Sequence, residues 1–183
     1  MARYRPSEPN CAMKTTNFGV MLMVKDVPAL VTPLPGQTFL GVLIDSISQV
    51  KYSLDIIQYE WYFYPGQPNS QIQALNRAVL AQAEAGKKIR VLLNKEGRGQ
   101  HLTAINMKAS RYLSEAGISV KFGRTFPITH AKLWIFDDDA VILGSHNLSN
   151  RSVTVNNECS VLIKSREVAV EFKRYFDILW GLF

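Results

Sequence analysis

The sequence has little cysteine and lacks long apolar runs. Its 183 residues include two cysteines, Cys11 and Cys159, which fit neither a disulfide framework nor a zinc site. No apolar run approaches the roughly 18–20 residues needed to span a membrane. The most hydrophobic early stretch, residues 18–24, is too short for the core of a signal peptide. We therefore expect a cytoplasmic protein without a membrane span, in which Cys159 is a small buried residue of a strand.

An internal repeat and a low-complexity tract are also missing, which favours a single domain. A chain of 183 residues with 47% hydrophobic content suits one domain with a substantial core. The first 28 residues contain Pro6, Pro9 and Pro28, which discourage a long helix. We expect an irregular or loosely attached N-terminal arm over residues 1–28 and one domain over residues 29–183.

Helical and strand patterns alternate along the rest of the chain. Apolar residues recur at helical spacing over residues 37–50, whereas residues 89–94 are almost continuous in isoleucine, valine and leucine. The patterns predict helices over 37–50, 70–85, 102–116 and 166–182, and strands over 53–59, 89–94, 119–122, 133–136, 140–143 and 158–163. This order is typical of a layered α/β sandwich.

The most informative stretch runs from residue 128 to residue 149 and occurs once. His130 and Lys132 are two residues apart, so on a strand they point to the same face, about 7 Å apart. The pair offers an imidazole nucleophile or acid-base group beside a fixed positive charge. Asp137 lies at an odd offset from both and would face the opposite side, which predicts a supporting role. Asp138 and Asp139 fit an acidic turn, with a metal site there as the weaker alternative.

Further polar residues follow the second strand of this stretch. Gly144 and Ser145 end that strand, and Asn147 brings an amide donor back toward the first strand. Glu158 opens another expected strand and could hold the ring of His130 in one tautomer. Together these groups can assemble a site that handles phosphate.

The spacing of these residues resembles the signature of the phospholipase D superfamily. That signature is His-x-Lys, four residues, Asp, six residues, and then Gly-Ser-x-Asn, and it is matched without a gap by His130, Lys132, Asp137, Gly144, Ser145 and Asn147. Glu158 stands where the small nuclease members carry an acidic residue. The resemblance covers the chain from about residue 34 to residue 183. It implies an α/β/α sandwich with a mixed central sheet.

The resemblance also implies an assembly and a reaction. Small members with a single motif pair two identical subunits, so we expect a homodimer whose active site lies on the two-fold axis. One neutral His130 would attack phosphorus and form a phosphohistidine. The second, protonated His130 would donate to the leaving oxygen and then activate water.

The remaining motif residues receive supporting roles from the same resemblance. Lys132 and Asn147 of both subunits would stabilise the negative charge on the equatorial oxygens, and Glu158 would orient His130. Bracing of the motif would come from Asp137, Gly144 and Ser145. Neither a metal ion nor another cofactor is expected.

The positive charge is concentrated in one block. The net charge is +6, and residues 87–132 contain ten lysines and arginines but only two acids, a net of +8. The rest of the chain therefore sums to −2. This block favours a polyanionic substrate, and we expect Lys95, Arg98 and Arg124 to contact nucleic acid, either DNA or RNA.

Three readings of the function remain open at this point. A metal-independent nuclease, most simply an endonuclease, agrees best with the basic block. A phospholipid phosphodiesterase of the cardiolipin type would call for an apolar entry lip or a membrane anchor. A non-catalytic nucleic-acid-binding module, or the nuclease subunit of a larger machine, is the third. The aromatic residues between 59 and 64 could stack bases, although packing in the core or a dimer contact is the simpler explanation.

Overall fold

A seven-stranded mixed sheet forms the centre of the fold. The computed structural model describes residues 12–15, 21–24, 26–96 and 100–183. In chain order the elements are β1 (Ala12–Thr15), β2 (Met21–Val24), β3 (Leu30–Pro35), α1 (Thr38–Ser48), β4 (Ser53–Gln58), α2 (Gln71–Glu84), β5 (Lys88–Leu93), α3 (His101–Glu115), β6 (Ser119–Phe122), β7 (Leu133–Phe136), β8 (Ala140–Gly144), α4 (Asn150–Thr154), β9 (Cys159–Lys164) and α5 (Arg166–Gly181).

The sheet has a parallel half and an antiparallel half. Its strand order is β3-β9-β8-β7-β4-β5-β6. Strands β4, β5 and β6 are parallel, as expected for strands joined through the crossover helices α2 and α3. Strand β7 runs antiparallel to β4, and β8, β9 and β3 continue in the antiparallel sense. The predicted mixed sheet is therefore confirmed, and the junction of its halves is the β4–β7 pair.

Helices cover both faces of the sheet. One apolar cluster joins the sheet to α1, α2 and α3, and a second cluster joins its other face to α5. The side chains of β7 alternate between the two clusters. Trp134 belongs to the first cluster, and Leu133 and Ile135 belong to the second. This is the α/β/α sandwich that the sequence predicts.

A buried ion pair attaches α5 to the sheet. Asp55 on β4 is 3% exposed and accepts two hydrogen bonds from Arg90 on β5, at 2.7 and 2.8 Å. Arg90 also donates to Asp177 on α5 at 2.8 Å, and its guanidinium lies 4.7 Å from the ring centre of Phe176. Because the paired carboxylate offsets the cost of burying a cation, Arg90 serves the fold and is not a free member of the basic block.

Four local features differ from the sequence expectations. Strand β3 was not expected, since it contains Pro33 and Pro35, but it lies at the edge of the sheet, where proline is tolerated. The short helix α4, capped by the side chain of Ser149, was also not expected. The predicted irregular arm falls partly outside the described residues, and its described parts, β1 and β2, pair as antiparallel strands. The expectation that Cys159 is buried is wrong, because this residue is the first of β9 and is exposed.

In the part of the chain that the structure describes, no helix is both long and apolar enough to cross a bilayer.

Candidate active site

His130 and Lys132 lie in the segment that leads into β7, and their side chains meet. The Nζ atom of Lys132 lies 3.3 Å from Nδ1 and 3.4 Å from Nε2 of the His130 ring. The same ammonium donates a hydrogen bond to the carbonyl oxygen of His130 at 2.9 Å. Lys132 is only 9% exposed, whereas His130 is open to solvent. The pair thus presents an accessible imidazole with a buried positive charge beside it.

Tyr59 forms the aromatic wall of this pair. It follows β4 directly, and its ring centre lies 4.4 Å from that of His130. The Nζ atom of Lys132 lies 4.9 Å from the Tyr59 ring centre, within range of a cation–π interaction. The junction of the parallel and antiparallel halves of the sheet therefore places an aromatic ring against both side chains of the pair.

The environment favours a neutral imidazole. Partial burial lowers the pKa of His130, and the positive charge of Lys132 lowers it further. Burial also lowers the pKa of Lys132, but the carboxylates of Glu158 and Glu60 oppose that effect. An unprotonated imidazole has a free lone pair, so it can act as a nucleophile or a base.

The loop after β8 carries Asn147. At Gly144 a Cβ atom would overlap the side chain of Ser160 and the carbonyl of Cys159, so only glycine fits there. His146 is 1% exposed, stacks on Phe39 with ring centres 4.0 Å apart, and bonds to Ser160 and to the carbonyl of Gly36. These contacts fix the loop from both sides.

The side chain of Asn147 has an unmet hydrogen-bonding group. Its Oδ1 atom is buried and has no hydrogen-bond partner among the described residues. Buried polar atoms in native proteins are almost always paired. The unpaired amide oxygen therefore marks an incomplete hydrogen-bond network in the loop that carries the motif.

Glu158 braces this loop. Its carboxylate accepts hydrogen bonds from Ser145, from Ser152 at 3.2 Å and from the amide of Asn156 at 3.2 Å. Burial raises the pKa of Glu158, but these three donors outweigh it and leave the pKa below its ordinary value. Within the described part of this chain, the predicted hydrogen bond from Glu158 to His130 is not present. The structure instead brings Glu158 to Ser145.

Asp137 lies at the other end of β7 from the His130–Lys132 pair. Its backbone is left-handed, with φ of 51°. Its carboxylate accepts hydrogen bonds from the backbone N–H groups of Lys51, Tyr52 and Ser53, at 2.8, 2.7 and 2.9 Å. It therefore fixes the start of β4 against the β7–β8 turn, away from the reacting groups.

The structure describes two of the three side chains that the sequence analysis expects to contact nucleic acid. Lys95 and Arg124 are exposed, and Arg124 lines a small cavity of about 140 Å³ that His130 also lines. Arg98 lies outside the described residues. Lys121, another member of the basic block, donates to the carbonyl of Trp180 on α5. The surplus charge available to a polyanion is thus smaller than the sequence count suggests.

Two buried asparagines, which the sequence analysis missed, support the site. Asn106 on α3 accepts from the backbone N–H of Trp61 and donates to the carbonyls of Tyr59 and Asn94. The side chain of Asn94 in turn accepts from the backbone N–H of Thr129, next to His130. The available signal was an asparagine on the apolar face of α3, between the buried residues Leu102, Ala109 and Leu113.

The hydrogen-bond donors of the site are the ammonium of Lys132 and the side-chain amide of Asn147. Over residues 26–96 and 100–183, and in the two described N-terminal strands, no group of three or more histidine, cysteine, aspartate or glutamate side chains is placed to hold a metal ion.

Comparison with known proteins identifies the domain. Residues 43–180 match the family described as "Cardiolipin synthase, PLD-like domain". The chain belongs to the phospholipase D-like family. The solved structure of a phospholipase D family member, Nuc, from Salmonella typhimurium superposes with a TM-score of 0.68 and 22% identity, over 84% of this chain and 94% of that chain. This likeness shows that the phospholipase D-like fold extends over most of the chain.

Curated relatives of this phospholipase D-like domain are longer proteins. A mitochondrial cardiolipin hydrolase from Chlamydomonas reinhardtii is 33% identical over 69 residues, which cover 38% of this chain and 31% of that protein. A 5′-3′ exonuclease, PLD3, from Xenopus tropicalis is 25% identical over 173 residues, which cover 87% of this chain and 33% of that protein. The chain spans about a third of the length of these relatives.

The contact between Lys132 and His130 predicts that the pKa of His130 depends on the charge of Lys132. In Lys132→Gln we expect the pKa of His130 to rise toward its ordinary value, because a positive charge 3.3 Å from the ring is removed. Titration of the ring protons by NMR measures this change. Lys88→Gln removes an exposed lysine at the start of β5 and is the control. An unchanged His130 pKa in Lys132→Gln would contradict the electrostatic account of the pair.

Proposed function

We propose that this domain is a phosphodiesterase that hydrolyses nucleic acid through a phosphohistidine on His130, without a metal ion. The observation that carries the proposal is the accessible His130 imidazole, 3.3 Å from the ammonium of a lysine that is 9% exposed. Such a pair supplies a neutral nucleophile and, beside it, a positive charge for the phosphate oxygens. The same pair argues against a purely binding module, which needs no activated imidazole.

The proposed reaction has two displacements at phosphorus. In the first, the lone pair of a His130 ring nitrogen forms an N–P bond while the P–O bond to the leaving group breaks, and a proton is delivered to the leaving oxygen. In the second, water loses a proton to a base, its oxygen bonds to phosphorus, and the N–P bond breaks. Lys132 and the amide of Asn147 stabilise the charge on the non-bridging oxygens.

The proposal requires a second acid-base group, which a second copy of the chain would supply. The motif occurs once, so a single chain offers one His130. A two-fold interface brings identical surfaces together and would place two copies of His130 at one site. Support comes from exposed apolar side chains near His130, Phe126 at 84% and Ile128 at 54%.

Nucleic acid is the substrate that the charge distribution supports best. Lys95 and Arg124 are exposed at the strand ends near the site, and the chain carries a net charge of +6. The similarity to a 5′-3′ exonuclease covers 87% of the chain. The cytoplasmic location expected from the sequence stays a prediction.

One observation favours a phospholipid as the second candidate substrate. The cavity of about 140 Å³ beside His130 is lined largely by apolar side chains, including Pro127, Ile128, Leu179 and Phe183. Together with the exposed Phe126, these residues form an apolar lip of the kind that a lipid phosphodiesterase would need. The similarity to a cardiolipin hydrolase, over 69 residues, points the same way.

Cleavage in the presence of a chelator tests the proposed chemistry. We expect the protein to cut DNA or RNA oligonucleotides in excess EDTA, and we expect His130→Ala to abolish cleavage while it leaves nucleic-acid binding largely intact. Gel-resolved products and fluorescence anisotropy measure the two activities, and Lys88→Gln is the matched control. Complete loss of activity with EDTA would refute the metal-free mechanism. Hydrolysis of anionic phospholipid vesicles without cleavage of oligonucleotides would favour the lipid substrate instead.

Mixed dimers test the shared site. Co-expression of equal amounts of wild-type and His130→Ala chains should leave about a quarter of the dimers with two intact copies of His130. If both copies serve one site, activity per chain falls to about a quarter of the wild-type value. Sedimentation analysis confirms that the preparation is dimeric. A fall to only one half, or full activity in a monomer, would contradict the shared site.

A further inference from the structure

We propose that the cleft between the segment after β4 and helix α3 is a subsite for one unpaired nucleobase next to the phosphate that reacts. This inference rests on the proposed nuclease function and specifies its substrate as single-stranded. The cleft has a volume of about 390 Å³ and is lined by Tyr62, Phe63, Tyr64, His101, Ala104, Ile105 and Lys108.

The aromatic run between residues 59 and 64 divides by alternation into buried and surface rings. Trp61 and Phe63 are 0% and 5% exposed and belong to the core, where Phe63 stacks on Tyr112. Tyr62 and Tyr64 face the other way and are only half-buried. Core packing therefore accounts for Trp61 and Phe63. Tyr64 is partly buried and packs against the same cluster, whereas Tyr62 is part of neither core cluster.

The two tyrosines form a stacked pair. Their rings are parallel within 1°, with centres 5.1 Å apart. Burial raises the pKa of both hydroxyl groups, and the charge of Glu60 acts in the same direction, so both remain neutral hydrogen-bond donors. Neutral aromatic rings stack on nucleobases. The Tyr62 hydroxyl is already hydrogen-bonded to the carboxylate of Glu60, so stacking, and not a hydrogen bond from this hydroxyl, would hold the base.

The opposite wall of the cleft belongs to α3 and carries two basic side chains. His101 and Lys108 are both exposed and line the cleft. They are separated by seven positions, about two helical turns, so they lie on the same side of α3. A positive charge on one wall and stacked rings on the other match a nucleotide, in which an anionic phosphate adjoins a flat base. An acyl chain would gain nothing from Lys108.

The cleft is close to the proposed reaction centre. Tyr59 contacts His130, and Tyr62 begins the cleft three residues later, about 10 Å further along an extended segment. Between them, Glu60 lies near enough to Lys132 and His101 for both charges to act on its carboxylate. A phosphate at His130 and the base of a neighbouring nucleotide in the cleft are therefore compatible in distance. A base within a duplex is stacked on its neighbours on both faces, so only an unpaired base offers a free face to Tyr62.

A substrate with a single abasic nucleotide distinguishes a defect in the base subsite from a defect in the reaction itself. We expect Tyr62→Leu to reduce kcat/KM on an intact single strand by about tenfold to a hundredfold, as for the loss of one stacked base. On a strand with an abasic nucleotide next to the cut bond, Tyr62→Leu and the wild-type protein should be equally active. Equal losses on both strands, or no loss on either, would overturn the subsite.

The charged wall and direct binding provide two further measurements. Lys108→Gln should lower kcat/KM on the intact strand. Lys88→Gln, which removes an exposed lysine at the far end of β5, should not, and equal effects of the two would count against the subsite.

Binding is measured with the inactive His130→Ala protein and a strand that contains 2-aminopurine, whose fluorescence falls on stacking. Quenching that is lost in the Tyr62→Leu background supports the subsite, and absence of quenching overturns it. Failure of the wild-type protein to cleave any oligonucleotide would remove the proposed function, while the binding assay still decides on the cleft.

Discussion

The buried ammonium of Lys132 is the constraint on which the rest of the site depends. A cation that is 9% exposed needs nearby partners, because burial lowers its pKa and favours the uncharged form. Here the carboxylates of Glu158 and Glu60, the ring of Tyr59 and the carbonyl of His130 all stabilise the charge. The cost of burying the lysine is thus offset from several directions. The ammonium also lies against the His130 imidazole, the group that the proposed reaction uses.

The fold holds this arrangement by a small number of long-range polar contacts. Asp137 fixes the beginning of β4 through three backbone N–H groups, at one end of the β4–β7 pair. At the other end, Asn106 ties the carbonyl of Tyr59 to that of Asn94. Strand β7 between them is apolar on both faces, so its polar groups lie where the strand ends. Arg90, which pairs with Asp55 on β4, also bonds to Asp177 and so holds α5 against the sheet.

The sequence predicts the parts of the structure that depend on local pattern. The spacing of His130 and Lys132 predicts their approach, because alternate residues of an extended segment share a side, and the apolar periodicity predicts most helices and strands within two residues. Contacts between distant segments leave no such pattern. Nothing local reveals that Arg90 pairs with Asp55 instead of facing solvent, or that Glu158 reaches Ser145 and not His130. Their partners are set by strand order, which is a property of the whole fold.

The central claim is that His130 bonds covalently to phosphorus during turnover. The most direct test is the stereochemical course of cleavage, with a substrate that carries a chiral phosphorothioate at the cut bond and isotopically labelled water. Two displacements, through a phosphohistidine, invert the configuration twice and predict net retention at phosphorus. Net inversion would mean that water attacks phosphorus directly, and it would contradict the account of His130 as a nucleophile.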